Sequence, residues 1–387
     1  MKILITPATL EISDNHSYSK GAIANIAYNL LRSLSKYEIE LYVLSKGLDI
    51  TRNLPNNLKL FNLTNSRIKN SHYIHTKAFF CSIKLSKAIL KTQNISVISQ
   101  MYLPYGVGFN PLFKAIRDYP FVIGMCELPH PLLDDEIDKT KKYIANIGKK
   151  FLFSLFRKTL DYCDMLIAVN EATKDLYSNL MPRKKIKVIP YGVDLERFKY
   201  SPLPFNHDIL AVSRLIKRRN LNYLVEAMPL ILKEYPDAKL HFVGSGPRKE
   251  ILQRKAKELG ISSKVIFHGN VSASELVNLY RDCYIFCHLS FADGWNQPAL
   301  EAMASGRPVV CTDAPHNSMV VNNKTGFLIP YGDVNELAEK IMKLFSDRGM
   351  GEKMGIEGRR KVEEEYDWNM IAEKYYKVYK KVSEGGS

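Results

Sequence analysis

The sequence predicts an α/β protein made of two doubly wound parallel-sheet domains, and three observations carry that expectation. Short runs rich in Ile and Val alternate with longer stretches of helical period, as when crossover helices cover a parallel sheet. The rhythm breaks at Phe198–Asn206 (FKYSPLPFN), where Pro202 and Pro204 favour an extended linker. The 387 residues, 46% of them apolar, suit two or three domains with a buried core. A fibrous or disordered chain is excluded.

In the first domain, residues 1–197, strands are expected at Lys2–Thr6, Ile39–Leu44, Ile95–Ser99, Phe121–Met125, Met165–Val169 and Ile186–Ile189. Helical periods fill Gly21–Ser35, His75–Lys91 and Glu136–Leu160. The second domain, residues 198–366, repeats the pattern with strands at Asp208–Val212, Leu240–Val243, Val265–His268, Tyr284–Cys287 and Val309–Thr312. Its helices are expected at Asn220–Glu234, Arg248–Leu259, Ser274–Asp282 and Pro298–Ser305. Ser272 and Glu275 form a capping box for the third of these, and Asp333 caps a further helix running to about Phe345. A last helix spans residues 367–384, and Gly385-Gly386-Ser387 reads as an engineered scar. Doubly wound sheets bind ligands beyond the carboxyl ends of their strands, so the active site is sought in an interdomain cleft.

The net charge is +15: 27 Lys/Arg against 16 Asp/Glu up to Asp194, then 28 against 24. An excess concentrated in the first half calls for an anionic partner: nucleic acid, an acidic membrane surface or a phosphorylated small molecule. No apolar run approaches the ~20 residues of a membrane span. Met1–Leu10 carries one lysine and reads as a strand, so a cytoplasmic location is expected. The six cysteines show no CxxC spacing, and Cys283 and Cys287 lie in a strand-like apolar run, so neither disulfides nor zinc are expected.

The chemistry concentrates in Ser290–Val310, SFADGWNQPALEAMASGRPVV. Pro298 suits the first position of a helix, which leaves the amides of Trp295–Gln297 at its positive end, suited to an anion. Glu301 falls in the first turn and leans back toward the loop, where a carboxylate can accept both hydroxyls of a ribose. Asp293 lies in the loop eight residues earlier.

These residues resemble the retaining, nucleotide-sugar-dependent glycosyltransferases of family four, whose fold of two Rossmann-like domains is called GT-B. The family's two acids are separated by seven residues, as are Asp293 and Glu301. Val212-Ser213-Arg214-Leu215 with Arg219 resembles its Gly-Arg-Leu…Lys segment, and Val243-Gly244-Ser245-Gly246-Pro247 its VGxGP turn. Val265–Gly269 resembles its V-x-F-x-G strand end, and Ile189–Asp194 with Phe198 its approach to the linker.

The resemblance implies that Arg214 and Arg219 meet the charge developing on the nucleoside diphosphate without a metal or other cofactor. It implies that Asp293 touches the transferred sugar and Glu301 the ribose. Gly294, Trp295, Asn296 and Gln297 would line the donor loop, and Gly244 and Gly246 shape a turn that the fold needs whatever the ligand. His268, Gly269 and Asn270 would meet the base, and Gly21 would belong to the loop after the first strand that closes over the phosphates. The departing phosphate would act as base, so no protein nucleophile is assigned. The last helix would pack back across both domains.

Departures from the family pattern lie at Asp293, usually Glu; at Arg219, usually Lys; and at Asn296 and Gln297, usually Gly and a hydrophobe. Cys126 and Glu127 stand where the family has His-Asp. Either His130 supplies the sugar-contacting imidazole or none is used. Arg219, within Lys217-Arg218-Arg219, also reads as part of a solvated basic cluster.

The segment Lys139–Leu160 interleaves Phe151, Phe153 and Phe156 with Lys149, Lys150, Arg157 and Lys158. It reads equally as an interfacial membrane helix or as one burying its aromatics against its own sheet. The reading is a glycosyltransferase acting on a glycan or lipid-linked acceptor, peripheral at an anionic membrane face. Alternatives are a sugar-nucleotide epimerase or phosphorylase on the same fold, or a basic nucleic-acid-binding protein, for which no aromatic-basic RNA signature is present.

Overall fold

The structure is a computed structural model that describes residues 1–8, 18–45, 55–62, 90, 93–101, 119–126, 163–180 and 185–385. The chain divides into two compact units.

The first unit holds seven parallel strands: β1 (Lys2–Ala8), β2 (Glu40–Ser45), β3 (Leu58–Asn62), β4 (Val97–Met101), β5 (Phe121–Cys126), β6 (Met165–Ala168) and β7 (Lys185–Val188). Their order is β3-β2-β1-β4-β5-β6-β7, a doubly wound sheet that reverses at β1. Ile3, Leu4 and Ile5 are all buried, because helices cover both faces of such a sheet and leave its central strand no polar side. Two described helices, α1 (Tyr18–Leu34) and α2 (Glu171–Leu180), belong to the crossovers.

The second unit, Gly192–Asp367, alternates strand and helix: β8 (Asp208–Val212), α3 (Leu221–Glu234), β9 (Lys239–Val243), α4 (Lys249–Glu258), β10 (Val265–Gly269), α5 (Ala273–Asp282), β11 (Ile285–His288), α6 (Gln297–Ala304), β12 (Val309–Thr312), β13 (Gly326–Ile329), α7 (Val334–Ser346) and α8 (Arg348–Glu365). The sheet order is β10-β9-β8-β11-β12-β13, reversing between β8 and β11. α3 buries Leu221, Leu224, Val225, Met228 and Ile231, an i, i+3, i+4, i+7 stripe facing the core. α9 (Trp368–Ser383) returns to the first unit, where Tyr379 and Ser99 of β4 share a 2.9 Å hydrogen bond between hydroxyls.

Each expected strand is present with boundaries within two residues, and the Ser272–Glu275 capping box and the Asp333 cap both form. Four elements were not anticipated. β3 and α2 are short, and glycines disguised the other two. Gly326 opens β13 because a Cβ there would lie 2.2 Å from the Val309 carbonyl oxygen. In α8, Gly355 and Gly358 let the helix approach α6 and the turn after it, and a Cβ on Gly355 would lie 2.2 Å from the Gly306 oxygen. Glycine therefore marks close approach here, although it lowers helix propensity. The expected helices Glu136–Leu160 and, apart from Leu90, His75–Lys91 lie outside the described residues.

The linker expected after residue 197 lies within the second unit. Arg307, fully buried, donates to the backbone carbonyls of Pro202, Ser201, Arg281, Cys283 and Ser305, and so fastens Ser201–Pro202 to the segments flanking α5 and α6. Cys163, Cys283, Cys287 and Cys311 are buried free thiols, and burial pushes Cys283 and Cys311 up to about 12.

Candidate active site

The second sheet reverses direction between β8 and β11, and the loops leaving these two strands meet. The loop after β8 enters a short 3-10 turn, Lys217–Arg219; the loop after β11 runs from Leu289 to Asn296. They are stitched together by backbone: Phe291 N–H donates to the Arg218 carbonyl at 3.3 Å, and the Asn220 side chain donates to the Leu289 carbonyl at 3.1 Å. A third loop, the Gly244–Gly246 turn, supports the first. Leu215 N–H donates to the Ser245 carbonyl at 2.9 Å, and a Cβ on Gly244 or Gly246 would lie 2.0 or 2.3 Å from the carbonyl oxygens of Ser213 or Leu215. These glycines thus place the Arg214 backbone, and Arg214 itself is exposed.

Asp293 is 3% exposed and sits among cationic and imidazole groups. Arg219 Nη1 donates to its Oδ2, and His288 Nε2 lies 3.0 Å from the same oxygen. Arg218, also buried, brings Nη2 to 3.9 Å from Oδ1. Burial alone would raise the Asp293 pKa; the Arg219 charge and the His288 hydrogen bond outweigh it and hold the carboxyl well below the usual range. Asp293 is therefore ionised and can only accept, which makes His288 the Nε2–H tautomer. Burial lowers the pKa of His288 despite the partner acid, so its ring is neutral.

His316, in the turn after β12, is 2% exposed, with its ring centroid 6.0 Å from that of His288. It makes one backbone hydrogen bond, to Ser290, and its Nε2 has no partner. Burial pushes its pKa down to about 4. Among the described residues, His288, Asp293 and His316 are the group with the donor set of a metal site. The Arg219 guanidinium, however, already supplies the positive charge on Asp293 Oδ2, and a divalent cation there would meet two guanidinium groups, one of them, Arg218, buried.

The helix after this loop, α6, begins at Gln297, with Pro298 second rather than first. The Asn296 side chain caps it by accepting from Ala299 N–H at 3.1 Å and donates to Asn317 at 2.6 Å, so it is committed to holding the loop. Gln297 Nε2 donates to the Gly192 carbonyl at 3.0 Å, Gly294 is buried, and Trp295 packs near Tyr366 with ring centroids 6.0 Å apart. Glu301 is 1% exposed and accepts from the Tyr280 hydroxyl at 3.0 Å, and burial raises its pKa well above the ordinary value.

At the end of β10, His268 stacks on His241 with 3.0 Å between ring nitrogens, Gly269 has φ +69°, and Asn270 is exposed. Gly21 is the fourth residue of α1 and not part of a preceding loop, because the helix starts three residues earlier than expected. Cys126 ends β5; Glu127 and His130 lie outside the described residues. The structure thus brings Arg219 and Asp293 together and adds Arg218, His288, His316 and Tyr280. A polar residue closing an otherwise apolar strand was the available signal for His288.

Two family profiles match in sequence order, "Glycosyltransferase Family 4" over residues 23–197 and "Glycosyl transferases group 1" over residues 195–361. A Mycobacterium tuberculosis protein, GDP-mannose-dependent alpha-(1-6)-phosphatidylinositol monomannoside mannosyltransferase, is 29% identical over 243 residues, covering 57% of this chain and 63% of that protein. The match therefore spans less than two thirds of that relative. Among solved structures, sucrose-phosphate synthase from Thermosynechococcus elongatus superposes with a TM-score of 0.78 at 17% identity, over 99% of both chains. Anabaena HepE, in complex with UDP and glucose, superposes at 0.70 and 17% identity over 98% of this chain and 99% of its own.

Proposed function

Because the chain belongs to the family-four glycosyltransferases of GT-B fold, we propose that it is a retaining, metal-independent enzyme transferring a sugar from a nucleotide-sugar donor to a glycan or lipid-linked acceptor. The observation that carries the proposal is the ionised Asp293 held by Arg219 where the loops after β8 and β11 meet. The donor pyrophosphate lies against Arg214 and Arg219. As the bond from the sugar's anomeric carbon to the phosphate oxygen breaks, negative charge grows on the departing diphosphate, and fixed guanidinium groups stabilise it without reorganising. A guanidinium has five N–H donors, so Arg219 can hold Asp293 and a phosphate oxygen at once. The acceptor hydroxyl attacks from the leaving-group face and gives its proton to that phosphate oxygen, so configuration is retained. Asp293 accepts from a sugar hydroxyl.

A lipid-linked acceptor is supported by the cationic excess of the first half of the chain and by the phosphatidylinositol mannoside acceptor in the name of the mycobacterial relative. The enzyme would then act at an anionic membrane face. No described helix is long and apolar enough to cross a bilayer.

The test is incubation with a panel of nucleotide sugars and lipid or glycan acceptors, with and without EDTA. Product whose anomeric proton signal matches the donor's configuration, formed at equal rate with EDTA, is expected. An inverted anomer or a loss of rate restored by a divalent ion defeats the corresponding part of the proposal. Sedimentation with anionic vesicles at low salt should exceed that with neutral ones; equal sedimentation removes the membrane.

A further inference from the structure

The cluster around Asp293 contains groups that the mechanism above does not use, and His316 is the one with an unpartnered atom outside the Arg219–Asp293–His288 contacts. A ring nitrogen of His288, a ring nitrogen of His316 and a carboxylate oxygen of Asp293 lie within 4.8 Å of one another, and all three residues are buried. Oδ2 of Asp293 is taken by Arg219 and His288. Oδ1 has Arg218 at 3.9 Å, beyond hydrogen-bonding range, and so keeps its capacity to accept.

The proton on His316 is fixed by the same bookkeeping of donors. Its hydrogen bond to Ser290 is to a backbone group, and that bond raises its pKa, as donation to a carbonyl does. Nε2 is the nitrogen without a partner, so Nδ1 carries the hydrogen and Nε2 is a bare lone pair. Burial keeps the ring neutral at physiological pH, so this lone pair is available throughout the working range. Nearly all buried polar atoms are paired in native proteins, and an acceptor this deep with nothing to accept is an exception that needs a partner.

That partner must be a donor, because Nε2 can only accept and the other group of the cluster with accepting capacity to spare, Asp293, is an acceptor too. We propose that His316 Nε2 and Asp293 Oδ1 together accept the hydrogens of neighbouring hydroxyls on the transferred sugar. This makes His316 a specificity-determining residue for a hexose with those hydroxyls free. The inference rests on the donor reading above and deepens it. A deoxy or fluoro position, or an ether or carboxylate, leaves Nε2 unpaired and is rejected. Sites built to hydrogen-bond a hydroxyl discriminate strongly against analogues that lack it.

The experiment is calorimetric titration of the parent, His316→Phe and His316→Gln with UDP-glucose and GDP-mannose, with their singly deoxygenated sugars, and with UDP and GDP alone. Phenylalanine keeps the ring and removes the acceptor; glutamine restores an acceptor oxygen. His316→Phe should weaken the preferred nucleotide sugar by about 10-fold or more and leave the affinity for the nucleoside diphosphate unchanged. His316→Gln should recover part of the loss. The parent should discriminate against a deoxy sugar that His316→Phe no longer distinguishes. If nucleotide sugar and nucleoside diphosphate weaken together, His316 is structural. If neither changes at parental Tm, a water satisfies Nε2. Either result overturns the inference and leaves the donor reading intact, whereas a parent that binds neither nucleotide sugar nor nucleotide sinks that reading and the inference with it.

Discussion

Replacing Arg219 by methionine should lower turnover by about 10²- to 10³-fold and destabilise the protein by about 3–5 kcal/mol. Both effects come from one guanidinium. In the proposed reaction it meets the charge that develops on the departing diphosphate. In the resting fold it is the charged partner closest to Asp293, whose side chain is 2% exposed, and removing one member of a buried pair strands the other in a poor solvent. Methionine keeps the aliphatic stem, so little packing is lost. Arg214 is exposed, and Arg214→Ala should lower turnover by about 10²-fold with Tm unchanged. The pH dependence has a definite sign. The folded pKa of Asp293 is held below its unfolded value of about 3.9, so its stabilisation is present above that value and is lost as pH falls further. The stability gap between parent and Arg219→Met should therefore narrow below about pH 4, where the stranded acid takes up a proton. Adding Asp293→Asn to Arg219→Met removes the stranded charge. Tm should then recover while turnover does not. A double variant that regains turnover would show that Arg219 serves only to neutralise Asp293.

Part of this site was legible in the sequence because it is local. Asp293 and Glu301 are fixed by their spacing around one helix start, and the Gly244–Gly246 turn by its position after a strand. What sequence left open was decided by contacts between segments far apart in the chain. Within Lys217-Arg218-Arg219 the sequence left Arg219 either a diphosphate contact or part of a solvated cluster, but in a 3-10 turn successive side chains point about 120° apart, and here Arg218 and Arg219 face Asp293 while Lys217 faces solvent. No local pattern says which of three adjacent cations turns inward. His316 lies in a Pro-His-Asn turn that carries no periodicity, and it reaches Asp293 only because β11 and β12 are neighbours in the sheet. The glycines of α8 misled for the same reason: what they meet, Leu203 and Tyr284 at Gly351, the Gly306 backbone at Gly355 and Met303 at Gly358, is distant in sequence.

Glu301→Gln should separate the structural role of this buried carboxyl from its proposed role in holding the ribose. Glu301 is buried against the Tyr280 hydroxyl, and burial lifts its pKa well above the ordinary value, so the folded protein holds this proton to higher pH than the unfolded chain does. The unfolded chain gives up that proton at about pH 4.3. Above that pH unfolding releases a proton, and stability falls with rising pH until the folded pKa is passed, by up to about 1.4 kcal/mol per unit. Glutamine has no proton to lose. The variant should match the parent in Tm near pH 4 and exceed it at pH 8. Binding should move in the opposite direction. A carboxylate that accepts both ribose hydroxyls does so best when ionised, since charge-assisted hydrogen bonds are about twice as strong as neutral ones. Nucleotide binding to the parent should therefore expel a proton wherever the free carboxyl still holds it, read as a binding enthalpy that varies with the ionisation enthalpy of the buffer. Glu301→Gln should expel none and bind about 10-fold or more weakly at pH 8. If parent and variant bind alike, with no proton released by either, then Glu301 is a buried acid paired with Tyr280, and the ribose is held by other groups.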